Sequence, residues 1–407
     1  MNKVKYRVKI LQIITGISPL LLTGGYAYSA DTLLAPIKHG VSQINLQLTD
    51  QHGGQCQLDF TQAKAGPVTF TVKNVSATAI NEIELLSDNR ILGEKENLAP
   101  GLPAVSLTLT LDRGDYQIYC PGAHQETIAF QISGENKSRK HDSVAELLKQ
   151  GTEGYQHYVT GVAENMRVAV IQLQQAIDKR DLVAAKAAYA HARPFYEHIE
   201  SDVEGFLLEG HNATDNAGNL DYLIDMRASN LDPSVGWHGF HAIERDLFQK
   251  QQISSQTQQL AKQLTEHVTL LAKLANKLTF NPEDLANGAA SLLEEVQNTK
   301  INGEEEAYSH LDLLDFSANI EGAEQAFAFL KPGMKKIDPK LTQQIEAQFA
   351  HVKSVLNQYR VPTNLGGFQY YTPQLKVKAG PLLSRAVQSL QEPLARIAAK
   401  VAAGGVQ

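Results

Sequence analysis

The sequence predicts a multi-domain α+β protein, with an N-terminal all-β sandwich followed by an all-α helical bundle. Over residues 41–133 apolar side chains alternate with period two, and from residue 143 onward they recur at helical spacing over long stretches. Composition supports the same reading. In 407 residues, 43% are hydrophobic and 20% charged, enough for two or three cores, and two Cys exclude a disulfide-stapled miniprotein. A net charge of -7 argues against nucleic acid as the main partner, because binding there rests on clustered Lys and Arg at phosphates. A small cation or a neutral ligand fits this charge better.

The chain begins with Lys3, Lys5, Arg7 and Lys9, followed by a mostly apolar run over 10–22 that is too short to span a bilayer as a helix. This is the pattern of a secretory signal peptide, residues 1–27, cleaved after Ala27, with Ala30 as the alternative. Its removal takes away four positive charges and no acid, so the net charge moves from -7 to -11. The expected location is an exported, oxidising compartment.

Within 41–133, the runs VTFTV (68–72), VSLTLTL (105–111) and YQIY (116–119) are rich in β-branched and aromatic residues, and Gly53-Gly54, Gly66-Pro67, Pro100-Gly101 and Arg113-Gly114-Asp115 punctuate them as turns. The segment GENKSRKHD (134–142) is polar and aperiodic, which places a linker there. Helices are expected over 144–179, 182–208, 239–252, 257–278, 284–299, 308–330, 341–358 and 381–402, giving a helical domain over 143–407.

Cys56 and Cys120, 64 residues apart in an exported chain, read first as a disulfide. A second reading comes from Cys120-Pro121-Gly122-Ala123-His124, which resembles the copper loop of cupredoxins. A blue-copper site also needs an upstream His and a following Met. Neither is present, and Asn81-Glu82-Ile83-Glu84 stands where the His is expected. A modified site using Cys56, Glu82 and Cys120, with Glu84 or His124, therefore stays open beside the disulfide. Glu82 and Glu84 share a strand face, and Glu94 and Glu96 form a second alternating pair.

In the helical part, Phe195, Ile199, Val203 and Phe206 form one apolar face, with Glu197, Glu200 and Glu204 opposite. Such carboxylates either face water or line a cleft where only a captured cation relieves their repulsion. His241-Ala242-Ile243-Glu244 sets an imidazole and a carboxylate one turn apart, within reach of a single metal. His238 lies three residues earlier, beside Trp237 and Phe240, and reads as structural. Asp221, Asp225 and the triplet Glu304-Glu305-Glu306 are further acids that a bundle can turn inward.

Taken together, NEIELLSDNRILGEKENLAPG, RPFYEHIE, WHGFHAIERDLF and NTKINGEEEAYSHLDLLDFSANIEGA resemble the EfeO family of exported iron-uptake components. The resemblance implies a cupredoxin-like first domain and an imelysin, or M75 peptidase-like, second domain. It also implies a periplasmic metal-binding protein working with a membrane iron permease and a haem-containing peroxidase-like protein. On this resemblance the helical metal site comprises Glu197, Glu200, His241, Glu244, Asp225 and Glu305, and the first-domain site Cys56, Glu82 and Cys120. Iron as Fe²⁺ or Fe³⁺ is the expected cargo, with copper or zinc as alternatives. The competing classes are an exported metallopeptidase, for which no second ligand His one turn away is present, and a carbohydrate-binding exported protein.

Overall fold

The computed structural model describes residues 34–87, 90–135, 143–212 and 214–404. The expected signal peptide, with its cleavage points after Ala27 or Ala30, and linker residues 136–142 lie outside the described residues.

Ten strands run β1 (Ile37–Lys38), β2 (Val41–Thr49), β3 (Gln55–Leu58), β4 (Gln62–Lys64), β5 (Gly66–Asn74), β6 (Ile83–Ser87), β7 (Arg90–Lys95), β8 (Val105–Leu111), β9 (Gly114–Tyr119) and β10 (Thr127–Ser133) among the described residues. They form two five-stranded sheets, one ordered β1-β2-β5-β8 with β3 also on β2, the other β4-β10-β9-β6-β7. Alternation sends Ile44, Leu46, Phe70 and Leu107 of the first sheet and Ile83, Leu85, Ile118 and Phe130 of the second into one shared core. Phe70 and Phe130 meet edge to face across it at 5.2 Å.

The helices among the described residues are α1 (Ser143–Asp178), α2 (Leu182–Glu197), α3 (Glu200–Val203), α4 (Leu220–Asp225), α5 (Gly239–Glu244), α6 (Ser255–Ala275), α7 (Pro282–Glu295), α8 (Asp312–Ile337), α9 (Pro339–Asn357), α10 (Pro373–Leu394) and α11 (Ile397–Gly404). Local chemistry marks their starts. The Asp181 carboxylate accepts from the Ala184 N–H at 3.0 Å, Ser254 and Thr257 form a capping box, and Pro282, Pro339 and Pro373 open α7, α9 and α10. The stripe Val159, Met166, Leu173 and Ile177 of α1 is fully buried, and each such side chain contributes roughly 1.5–3 kcal/mol.

Three departures from the periodic pattern shape the site. The stretch 182–208, expected as one helix, breaks after Glu197, where the α8 backbone at Gly322 packs closely against it. A Cβ at Gly322 would lie 2.3 Å from the His198 carbonyl oxygen, and Asn319 of α8 donates to the Glu197 carbonyl at 2.8 Å. Two expected helices end in π turns instead of continuing as α: Arg245–Gln249 after α5 and Val296–Lys300 after α7. The helix expected from residue 308 starts only at Asp312, because the preceding acids turn into the interior.

The β and helical regions touch along a seam. The Lys95 ammonium bonds Glu294 at 2.8 Å, the Thr110 hydroxyl donates to Glu283 at 3.1 Å, and the Asn287 amide donates to the Thr108 carbonyl at 2.6 Å. No described helix is long and apolar enough to cross a membrane.

Candidate metal centre

The acids that helical periodicity would leave in water are buried among α2, α3, α4, α5, the π turn after α7 and the loop before α8. Glu197 and Glu305 are 0% and 1% exposed, His241 and Glu244 1%, Asp225 6% and Glu200 7%. At that depth an isolated carboxylate costs several kcal/mol unless it is paired or protonated.

The convergence centres on His241. Its Nε2 lies 3.3 Å from Glu305 Oε1 and 3.6 Å from Asp225 Oδ1. One atom from each of Asp225, His241 and Glu305 falls within 4.8 Å of the others. A cation bound at about 2.0–2.2 Å from oxygen and nitrogen donors would need those atoms to draw in only slightly. Glu197, Glu305 and Asp315 form a second such group that shares Glu305.

The expectation that His241 and Glu244 both reach a single metal meets a different geometry: Asp225 and Glu305 face Nε2 of the ring, while Glu244 faces Nδ1. Its Oε2 lies 3.3 Å from Nδ1 on the other side of the ring, and its Oε1 accepts the backbone N–H groups of Tyr308 and Ser309 at 2.7 Å each. Glu244 thus fixes the ring's orientation, the part a carboxylate plays behind a ligating imidazole.

Two buried cations, Arg193 and Lys300, thread the cluster, and the sequence reading missed both. Arg193, 0% exposed, bonds Glu197, reaches Asp225 at 2.6 Å, Glu305 at 2.9 Å and Glu306 at 3.2 Å, and lies 3.6 Å from Asp315. Lys300 Nζ lies 3.0 Å from Glu197, 3.6 Å from Glu305 and 3.7 Å from Glu200, with no hydrogen bond formed. Arg227 closes the rim, 2.9 Å from Glu305 and 3.1 Å from Glu295. The expectation that only a captured ion relieves the repulsion is therefore corrected, because side-chain cations already offset part of it. One signal was present in the sequence: Arg193, Glu197 and Glu200 repeat at helical spacing along one face. Lys300 had no local signal, since the π turn after α7 carries it inward.

Electrostatics divide the acids. Burial raises Glu305, yet Lys300, Arg227 and His241 hold it well below the usual carboxylate range. Burial pushes Asp225 up to about 8 against the pull of Arg193 and His241. Glu200 is raised well above its ordinary value by burial, and Glu197 and Glu295 add to this while Lys300 opposes it. Burial disfavours the His241 imidazolium, but Asp225, Glu244 and Glu305 raise its pKa well above the ordinary value. Glu197 Oε2, Glu200 Oε2 and both carboxylate oxygens of Asp315 are buried without a hydrogen-bond partner.

Other candidates lie elsewhere. Asp221 accepts from the Tyr196 hydroxyl, and Glu306 accepts from the Tyr189 hydroxyl at 2.8 Å. Glu304 is exposed, so the acidic triplet splits between water and interior. The His238 ring lies 3.2 Å from the Val235 carbonyl, outside the cluster. In the β region Cys56 and Cys120 form a disulfide, so the expectation of thiolate ligands at Cys56 and Cys120 is corrected. Each sulfur spends on its partner the electron pair a metal would take, which leaves Glu82 without the sulfur ligands assigned to its site.

Residues 151–397 match the imelysin (peptidase M75) family. The chain is 32% identical over 335 residues to the iron uptake system component EfeO of Escherichia coli (strain K12), covering 81% of this chain and 84% of that protein. The EfeO proteins of Shigella flexneri and Escherichia coli O6:H1 match with the same identity and coverage. The chain therefore belongs to the EfeO family and carries an imelysin domain.

Proposed function

We propose that this protein is an exported iron-binding component of an uptake system, which captures Fe²⁺ or Fe³⁺ at Asp225, His241 and Glu305 and passes it to a membrane permease. The observation that carries this reading is the buried convergence of those three donors beside Glu197 and Glu200, whose Oε2 atoms face the Lys300 ammonium without a hydrogen bond. Oxygen donors with one imidazole suit iron, and the same set can take zinc or copper. Glu244 orients the His241 ring, and Arg193 and Lys300 hold the acids together before cargo arrives. The similarity to iron uptake system components supports partners within such a system; we take these to be a membrane permease and a haem peroxidase-like protein, met in the periplasm after cleavage at Ala27 or Ala30. The signal peptide (1–27), the cupredoxin-like identity of 41–133, the linker (134–142) and the extent of the helical domain (143–407) belong to the same proposal.

The reading is of a binding protein, not a peptidase. Glu244, the acid nearest His241 on its own helix, has one oxygen committed to two backbone donors and the other facing the ring, so it is poorly placed to activate water. Anaerobic calorimetry with Fe²⁺ tests the site. We expect His241→Ala/Asp225→Asn to weaken binding at least 100-fold, and unchanged affinity would overturn the assignment.

A further inference from the structure

An ion bound for His241 has to pass a shell of side chains that is closed on most sides. The side chains of Arg193, Glu197, Lys300 and Glu305 are wholly buried, whereas those of Glu295 and Arg227 are 15% and 19% exposed. These two stand in one corner. Lys300 Nζ lies 4.0 Å from Glu295 and 3.7 Å from Glu200, and Arg227 Nη1 lies 3.1 Å from Glu295. Of these side chains, water reaches Arg227 and Glu295 most.

Arg227 is held in a different way from Arg193. Arg193 commits Nε, Nη1 and Nη2 to Glu306, Asp225, Glu197 and Glu305, so moving it would leave several buried charges unpaired. Among the described residues Arg227 bonds acids through Nη1 alone, shared between Glu295 Oε2 and Glu305 Oε2. A partly exposed pair of this kind opens at small cost, because water takes over its hydrogen bonds. Glu305 joins the pair to the metal donors: Oε2 faces Arg227 at 2.9 Å, and Oε1 faces His241 Nε2 at 3.3 Å.

The backbone beside Arg227 is tied down. Residues 226–238 connect α4, which ends at Asp225, to α5, which carries His241, so two of the three donors flank this loop. The Trp237 indole N–H donates to the Met226 carbonyl at 2.7 Å, the Asp232 N–H donates to the Tyr222 hydroxyl at 2.8 Å, and that hydroxyl donates to the Gly236 carbonyl at 3.0 Å. With the loop pinned, the Arg227 side chain is the part that moves by rotamer change alone.

We propose that Arg227 is a gate on the entry path to the buried centre, latched by Glu295 on its outer side and by Glu305 on its inner side. The inference rests on the iron-capture reading above. Latched, the guanidinium covers Glu305 Oε2. Swung into solvent, it leaves that oxygen to an entering cation, which then passes to Asp225 and His241. A cationic latch suits a cationic cargo, since both compete for the same carboxylate.

The test separates gating from charge. Anaerobic Fe²⁺ uptake and release are timed on the full chain with a coloured Fe²⁺ chelator, which reads unbound ion after rapid mixing and released ion after loading. Arg227→Gln removes a positive charge and Glu295→Gln a negative one, so a purely electrostatic role would move their association rates in opposite directions. Loss of the latch instead raises uptake and release in both variants, by about tenfold for one charge-assisted hydrogen bond removed. Association that rises in Arg227→Gln and falls in Glu295→Gln overturns the gate. Unchanged rates in either variant overturn it as well, and so does slower release. A parent protein that takes up no Fe²⁺ overturns the capture reading and the gate with it, whereas a parent that binds while the variants fail these expectations overturns the gate alone.

Discussion

Lys300 Nζ stands 3.0 Å from Glu197 Oε2 with both side chains wholly buried, yet it makes no hydrogen bond of good geometry. An ammonium held by charge alone among Glu197, Glu200 and Glu305 is a built-in cation, and displacement of it by metal is the prediction tested next. Burial of Lys300 is offset only by its ionised carboxylate neighbours, which ties the stability of the metal-free protein to the acids of the proposed site.

Lys300→Met should destabilise the metal-free protein by roughly 3–5 kcal/mol, because it leaves buried carboxylates unpaired. Added Fe²⁺ or Mn²⁺ should restore more of the melting temperature in this variant than in the parent. Thermal unfolding with and without metal measures both, and equal metal-induced shifts would show that Lys300 and cargo do not share the same acids.

Arg193 serves Glu197, Asp225, Glu305 and Glu306 with one planar fork. Arg193→Lys keeps the charge and loses that geometry, so it should recover little of the roughly 3–5 kcal/mol lost in Arg193→Ala. Denaturant unfolding of the two variants decides it, and a lysine variant as stable as the parent would mean that charge alone suffices.

Stability of the metal-free protein should fall as pH rises from about 5 to about 8. Glu84, Asp225 and Asp312 are raised to about 8 by burial, so in this window the folded chain keeps protons that the unfolded chain gives up. His241, also raised, adds the same slope above its ordinary value. Glu305 is depressed, so its contribution is already complete in this range and is lost only under more acidic conditions. A melting temperature that climbs from pH 5 to pH 8 would contradict these assignments, and bound cation should flatten the decline by replacing the protons.

Glu244→Gln should lower iron affinity by about 10–100-fold without removing a ligand, since it disturbs the partner that orients His241. Isothermal titration beside His241→Ala measures this, and an effect as large as that of His241→Ala would place Glu244 among the ligands.

Removing the Cys56–Cys120 bridge, which spans 64 residues of sequence, should cost about 4 kcal/mol in the chain-entropy picture. Iron binding at the helical centre should survive Cys56→Ser/Cys120→Ser at temperatures where the protein stays folded. Binding lost together with the bridge, in a variant that remains folded, would show that the helical centre depends on the β region's disulfide.

The sequence by itself determined the two-part architecture, the span of most helices and the pairing of His241 with Glu244, because each follows from spacing along a few turns of chain. Period two over 41–133 and helical spacing beyond 143 are short-range signals, and Pro282, Pro339 and Ser254 mark helix starts by their own chemistry. Tertiary structure alone decided which side of the helix carrying Glu197 met other helices, since an amphipathic pattern shows an apolar face and cannot say whether the polar one is also covered. It broke 182–208 against Gly322, carried Lys300 inward on a π turn, and set Arg193 among acids 32 to 122 residues away in sequence. Those contacts are fixed by how the helices cross, and no local repeat in the chain records that.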